Sequence, residues 1–412
     1  MSGSAGAVLF RGATILTCDD VEEDRLSGDL LAEGGRITAI GQGLSAPAGV
    51  EVVDAAGAIV LPGLIDAHQH VWERPHLLRE PELSLASYFA DFVRPAAGAM
   101  TPETLHDATA LTLAESLRGG TTTVFDWCHA TNSPAHAEAA VAAGGASGAR
   151  YVFGYGPAVA NGDYGSDRPH PAGLEQLAGH HGTQGDRVRI VAALRGPDLS
   201  APDLWRADFG RARDLGLAIS THIGTHRVGP GGIRALDEAG LLGPDVQFVH
   251  VTDSDDDELR RAAASGATLV VPPLAELAMG TGMPPLRRLA DLGLPFGLAI
   301  DTVLGGPLDM FAQLRAAWVI LRSGEWSDGL PPRGSTAREV LRTATIDAAR
   351  ACWLGDVTGS LRPGKAADLI VLRPPRTPQS IDEAYAQVLW TGRPEALKSV
   401  RVDGIERAGR AA

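Results

Sequence analysis

An alternation of short apolar runs with helical patterns, carried from residue 64 to about residue 350, constrains this chain more than any other feature. The candidate strands are 64–70, 121–127, 150–155, 188–194, 217–222, 246–251, 267–272 and 296–301. Between them lie amphipathic stretches such as "TPETLHDATALTLAESLRGG" and "DSDDDELRRAAASG", several opening with Ser, Thr or Asp as a helix cap and closing with Gly. Eight such repeats predict an α/β fold, a parallel (β/α)8 TIM barrel whose active site lies at the C-terminal ends of the strands. The loops there are long after the first strand, residues 71 to about 100, and after the third, about 156 to 186. The second is rich in Gly, Pro and Asp and reads equally as a substrate lid or a plain surface loop.

The two ends have a different texture. "AVLFRGATILTC", "GDLLAEGGRITAIG" and "GVEVVDAAGAIVLPG" read as short strands with Gly-rich turns, and "ADLIVLRP" and "SVRVDGIERAG" repeat the pattern near the C-terminus. They predict one small β-sandwich domain formed by both chain ends, residues 1–62 and 356–412, beside a barrel of residues 63–355. A length of 412 residues accommodates both. The three cysteines, Cys18, Cys128 and Cys352, are far apart and lack CxxC spacing, which argues against a disulfide framework or zinc knuckle and fits a reducing cytosol. No basic leader precedes a long apolar stretch and no membrane-length apolar run occurs, so a soluble, cytoplasmic protein is expected. A net charge of −14 without a basic block argues against nucleic-acid binding and leaves small-molecule substrates of either sign open. Nothing in the pattern decides for or against a homo-oligomer.

Histidine and aspartate collect at the predicted strand ends. The first strand ends in His68 and His70, the fifth in His222, the sixth in His250 and the eighth in Asp301. Residues i and i+2 of a strand face the same side, so His68 and His70 both project into the barrel as a ready chelate. A lone histidine at a strand end is usually a hydrogen-bonded core residue. Five such residues at one barrel mouth, in a chain of twelve histidines, suit instead a catalytic metal that takes three or four N/O ligands and keeps a place for water. Such a metal lowers the pKa of its water towards about 7. Asp301 is then placed to accept the water proton and deliver it to the leaving group, and His250 to orient the water or polarise the substrate.

The stretches "LPGLIDAHQH", "ISTH", "FVH", "LAID" and "LRTATIDAARACWLGDVTGSLRPGKAADLIVL" resemble the metal-dependent amidohydrolase superfamily over essentially the whole chain. The closing segment is similar to the branch containing cytosine deaminases, guanine deaminases and triazine hydrolases. "HQHVW", "FDWCHATNSPAHAEAAV" and "ELAMGTGMPP" look like a less characterised bacterial subgroup of it. The resemblance implies His68, His70, His222 and Asp301 as metal ligands, with His250 holding the bound water or the substrate. Dinuclear members commonly bridge their metals with a carboxylated lysine, whereas the only lysines here, Lys365 and Lys398, lie outside the barrel. One divalent ion is therefore expected, Zn²⁺ ahead of Fe²⁺ or Mn²⁺, with Cys128 or Glu276 as the alternative bridges to a second.

Deaminases of this branch commonly carry a glutamate three residues after the strand-five histidine, a place that "HIGTH" fills with Thr225. A hydroxyl donates a hydrogen bond but is no carboxylic acid near neutral pH. Glu276, after strand seven, and Glu73, just beyond the first histidine pair, are candidate replacements, against the plainer reading of loop carboxylates. After strand four, where relatives often show His or Gln near a proline, the chain reads "VAALRGPDLS". Arg195 there is expected either to fork onto a substrate carboxylate or carbonyl or to pair with a loop acid such as Asp198. Trp72 and Trp127 offer a flat aromatic wall for a ring substrate, or routine packing. His129, Asn161, Asp163 and Tyr164 are further loop contacts. The expected activity is hydrolysis of a carbon–nitrogen bond in a small amide, cyclic amide or N-heterocycle, with cyclic amides preferred because the usual deaminase acid is missing. The alternatives are an aminohydrolase or dehalogenating hydrolase, a non-hydrolytic metal lyase, and a catalytically silent metal-binding protein.

Overall fold

The computed structural model describes residues 6–76, 84–162, 167–183, 187–225, 229–303, 307–323 and 331–409. The chain forms two compact units, one of Met1–Asp66, Glu115–Thr123 and Asp309–Ala412, the other of Ala67–Ala114 and Val124–Leu308. Five strands open it: β1 (Val8–Ile15), β2 (Arg25–Glu33), β3 (Arg36–Gly41), β4 (Glu51–Asp54) and β5 (Ile59–Pro62). Eight follow: β6 (Leu64–Gln69), β7 (Thr121–Cys128), β8 (Arg150–Tyr155), β9 (Val188–Leu194), β10 (Ile219–Ile223), β11 (Val246–His250), β12 (Thr268–Val271) and β13 (Gly297–Leu298). Three close it: β14 (Leu369–Leu372), β15 (Leu397–Val402) and β16 (Ile405–Gly409). Among the described residues these strands make two eight-stranded sheets.

The first sheet joins the chain ends, in the order β16-β15-β14-β5-β1-β2-β3, with β4 also paired to β1. The C-terminal β14 pairs antiparallel with β5, Leu369 opposite Pro62 and Leu372 opposite Ile59. One face is a core in which Val8, Phe10, Ile15, Leu30, Val60, Leu369 and Val371 are buried together. Each large side chain removed from water there contributes about 1.5–3 kcal/mol. The expected separate β-structure built from both termini is thus present.

The second sheet runs β6 to β13 in sequence order, and the pairs from β8 to β13 are parallel. β6, β7, β8, β10 and β11 are buried at every residue, as parallel strands covered on both faces must be. The expected barrel strands recur within a few residues of their predicted spans, except the eighth. That strand was expected over 296–301, but regular pairing covers only Gly297–Leu298 and resumes at Asp301, which bridges to Gln69 in parallel. Asp301 has φ +67°, a left-handed conformation that breaks a regular ladder, so the last strand meets the first through a kinked residue. No helix among the described residues is long and apolar enough to cross a membrane.

Gly63, between β5 and β6, sits where a Cβ atom would overlap the Thr122 side chain. Gly63→Ala is expected to destabilise the protein by about 1–3 kcal/mol through overpacking. A drop in the denaturation midpoint checks this; an unchanged midpoint would mean that Thr122 swings clear.

Candidate metal centre and active site

The kink at Asp301 is what aims its carboxylate. Its amide donates to His68 O at 2.9 Å and its carbonyl accepts from His70 N at 2.8 Å, so the main chain of the first strand brackets it. Its Oδ1 lies 3.2 Å from His68 Nε2 and 3.3 Å from His70 Nε2. From β10, His222 Nε2 comes within 3.2 Å of His68 Nε2. All of these side chains are nearly or fully buried. His250 and Val251, at the end of β11, share the left-handed backbone with φ +79° and +51°. Non-glycine residues in that region cost energy and gather at functional sites.

This donor set fits a metal ion. Bonds of about 2.0–2.1 Å to a tetrahedral ion put neighbouring donors about 3.3 Å apart, and the separations of 3.2–3.3 Å around His68 and Asp301 match that edge. Donor atoms of His68, His222, His250 and Asp301 all lie within 4.8 Å of one another. His70 joins the group through Asp301 Oδ1, so five side chains surround a centre that needs three or four. His70 Nδ1 donates to Trp127 O at 2.7 Å, which turns Nε2 inward.

The charges are arranged accordingly. Burial lowers His68 and, helped by the neighbouring imidazoles, holds His222 well below its ordinary value, so both are neutral, as ligands must be. Burial by itself would lower His70 too, but the hydrogen bond and charge of Asp301 raise it to about 9. Burial pushes the Asp301 carboxyl up, yet hydrogen bonds from His68 and His70 bring it well below the usual carboxylate range. A metal ion held by this cluster would require His70 to give up that proton and coordinate as a neutral imidazole.

A small cavity opens onto the cluster. His70, His222, His250, Asp301 and Glu276 form its polar part, Leu85, Phe89 and Met279 its apolar wall, with Tyr88, Thr225, Ala275 and Thr281 completing the lining. Glu276 stands in the helix Pro273–Met279 after β12, 1% exposed, its Oε1 3.2 Å from His250 Nδ1. Burial, with the Asp301 charge nearby, holds its pKa well above the ordinary carboxyl value. Its Oε2 and the Thr225 hydroxyl oxygen have no hydrogen-bond partner among the described residues.

Other expected contacts are placed differently. Arg195 is 1% exposed and does not line the cavity. Its guanidinium donates to Arg168 O at 2.6 Å and meets Asp208 Oδ2 at 3.4 Å, while Asp198 accepts from Gly224 N at 2.7 Å instead. The arginine holds the long loop after β8 against the helix Pro202–Asp214, which also captures His170 N through Asp208 Oδ1 at 2.9 Å. The aromatic wall is likewise not formed. Trp72 and Trp127 are fully buried; Trp72 Nε1 donates to His129 Nδ1 at 3.0 Å, and the Trp127 ring lies 4.6 Å from that of His222. Both brace imidazoles, and the His129 ring stacks on that of His70 at 4.2 Å. Asn161 is exposed and donates to Asn132 O at 3.1 Å. Asp163 and Tyr164 lie outside the described residues. Cys128 is a buried thiol whose pKa burial raises well above its ordinary value. Sequence reasoning passed over Leu85, Tyr88 and Phe89, which lie in a segment whose only signal was loop length, and Met279, whose stretch it noted only for a resemblance.

The amidohydrolase family profile matches residues 59–404 of the chain. The 5-methylthioadenosine/S-adenosylhomocysteine deaminase of Symbiobacterium thermophilum is 28% identical over 417 residues, spanning 96% of this chain and 92% of that one. The 5'-deoxyadenosine deaminase of Methanosarcina mazei is 25% identical over 410 residues, 96% of this chain and 91% of that one. Among solved structures, the atrazine chlorohydrolase of Arthrobacter aurescens TC1, complexed with zinc, superposes with a TM-score of 0.81 at 26% identity, covering 97% of this chain and 94% of its own. A zinc-bound adenosine deaminase from Xanthomonas campestris gives 0.83 at 22% identity over 98% of this chain and 93% of its own, a likeness of fold.

Proposed function

The chain belongs to the amidohydrolase family, a family of metal-dependent hydrolases, and from that premise we propose that it hydrolyses the exocyclic carbon–nitrogen bond of an amino-substituted nitrogen heterocycle, releasing ammonia. The observation that carries the choice is Glu276, a carboxyl 1% exposed at the edge of the metal cluster, whose pKa burial holds well above its ordinary value. The missing glutamate at Thr225 had favoured cyclic amides, and an acid supplied from the helix after β12 removes that preference. The deaminase activities of the relatives point the same way.

The reading assigns one ion to His68, His70, His222 and Asp301, with Zn²⁺ favoured by the nitrogen-rich donor set and by the zinc in the structural neighbours. A divalent ion in this position makes a water molecule acidic enough to supply hydroxide at neutral pH. Asp301 Oδ2 takes the proton of the attacking water and carries it to the departing nitrogen. Glu276 Oε2 protonates the ring nitrogen as the carbon becomes tetrahedral, while its Oε1 stays paired with His250. His250, so oriented, steadies the oxygen that adds. Water and the amino-heterocycle thus yield the hydroxy or oxo heterocycle and ammonia. The three buried cysteines fit a reducing, cytoplasmic setting.

The test is ammonia release by zinc-loaded protein from a panel of adenosine derivatives, amino-triazines and cyclic amides. Turnover of amino-heterocycles is expected, abolished by a chelator and restored by about one equivalent of Zn²⁺. Ring opening of cyclic amides without ammonia would instead favour lactam hydrolysis, and no turnover across the panel would sink the proposal.

A further inference from the structure

Glu73 is as buried as Glu276 but has a different position. It lies in the turn Val71–His76, 0% exposed, and does not line the cavity. Its two oxygens are each taken by a hydroxyl: Oε1 by Tyr88, and Oε2 by Thr302 at 2.6 Å. Tyr88, by contrast, lines the cavity together with His70, His222 and Asp301. Glu73 therefore reaches the site through the hydroxyls it holds and through its charge, which acts on His70.

Tyr88 is set by more than this bond. Ser84 and Ser87 form a capping box that starts a helical turn at Leu85–Ser87, and the chain then widens into a π-helical turn, Tyr88–Val93. Such wide turns are rare and occur frequently at functional sites, where they re-aim a side chain. Within the turn the Tyr88 ring lies 6.2 Å from Phe92, which stacks on Trp72 at 6.0 Å with only 6° between the planes. Packing fixes the ring, and Glu73 fixes the hydroxyl.

We infer that Tyr88 is a specificity-determining residue: with its proton committed to Glu73, the phenol oxygen meets the cavity as a hydrogen-bond acceptor and selects heterocycles that carry an N–H or O–H on the edge facing it. Glu73 is the positioning residue that imposes this polarity. The inference rests on the cavity being the active site of the proposed hydrolase. It adds a substrate feature that the metal cluster and Glu276 do not require.

The experiment measures KM, kcat and calorimetric affinity of the zinc-loaded full chain for each panel compound that the wild type binds, melamine and adenosine included. Tyr88→Phe, which keeps the packed ring, is expected to raise KM and weaken binding about five- to tenfold, the loss of one hydrogen bond, with kcat within about twofold. Glu73→Gln, which leaves the phenol in place, raises KM less and adds nothing to KM in the Tyr88→Phe background, because it acts through the same hydroxyl. Unchanged KM and affinity in Tyr88→Phe would overturn the inference and leave the hydrolase standing. A wild type that neither binds nor turns over any panel compound would remove the hydrolase reading and this inference with it.

Discussion

Asp301→Asn lowers kcat/KM by about 10²–10⁴-fold, the range expected when a positioned proton acceptor is lost, while the barrel stays folded. The amide keeps the shape of the carboxylate and leaves the two backbone hydrogen bonds to His68 and His70 intact. It cannot accept the water proton, and it presents a weaker donor where Oδ1 meets two imidazole nitrogens at 3.2 and 3.3 Å. Metal content therefore falls alongside activity, and the two are separated by assaying the variant at saturating Zn²⁺. Circular dichroism and the melting temperature establish that the fold is retained. Activity within tenfold of wild type at saturating metal would show that the proton goes elsewhere.

Glu276→Gln is the second large effect, a fall in kcat of about a hundredfold or more for a lost general acid. Burial raises the pKa of Glu276 in the wild type, with the Asp301 charge reinforcing the shift. Because its pKa is raised, the competent acid form is present below that pKa and disappears as pH rises through it, so kcat has an alkaline limb. Glutamine still bonds His250 but has no proton to transfer, and the limb vanishes with the activity. A pH–kcat profile of both proteins decides the matter. A variant that keeps the alkaline limb transfers the acid role to another group.

Much of this site was legible before any coordinates because strands impose a strict alternation. His68 and His70 must share a face, and His222, His250 and Asp301 mark the ends of apolar runs whose direction the barrel fixes. Alternation stops where a strand stops, and so did the reading. Arg195 lies one residue beyond β9, and its direction is decided by Asp208 on the helix that follows, a pairing that the order of elements along the chain does not reveal. Trp127 belongs to β7 itself, so its indole turns into the protein beside His222 and does not reach the substrate side. Tyr88 had no signal at all, since a π-helical turn leaves no periodicity in six residues. Glu276 was visible as a carboxylate; its burial, which raises its pKa, depends on neighbours distant in the sequence.

The junction of β6 with Asp301 is joined by an isolated bridge after a last strand of only two residues. The same junction supplies three of the five side chains around the metal centre. An ion held there rivets the first strand to the last, and any ligand that binds only the closed form adds its binding energy to closure. The site and the closure of the barrel would therefore stabilise each other: an ion seated there would resist the parting of the first strand from the last.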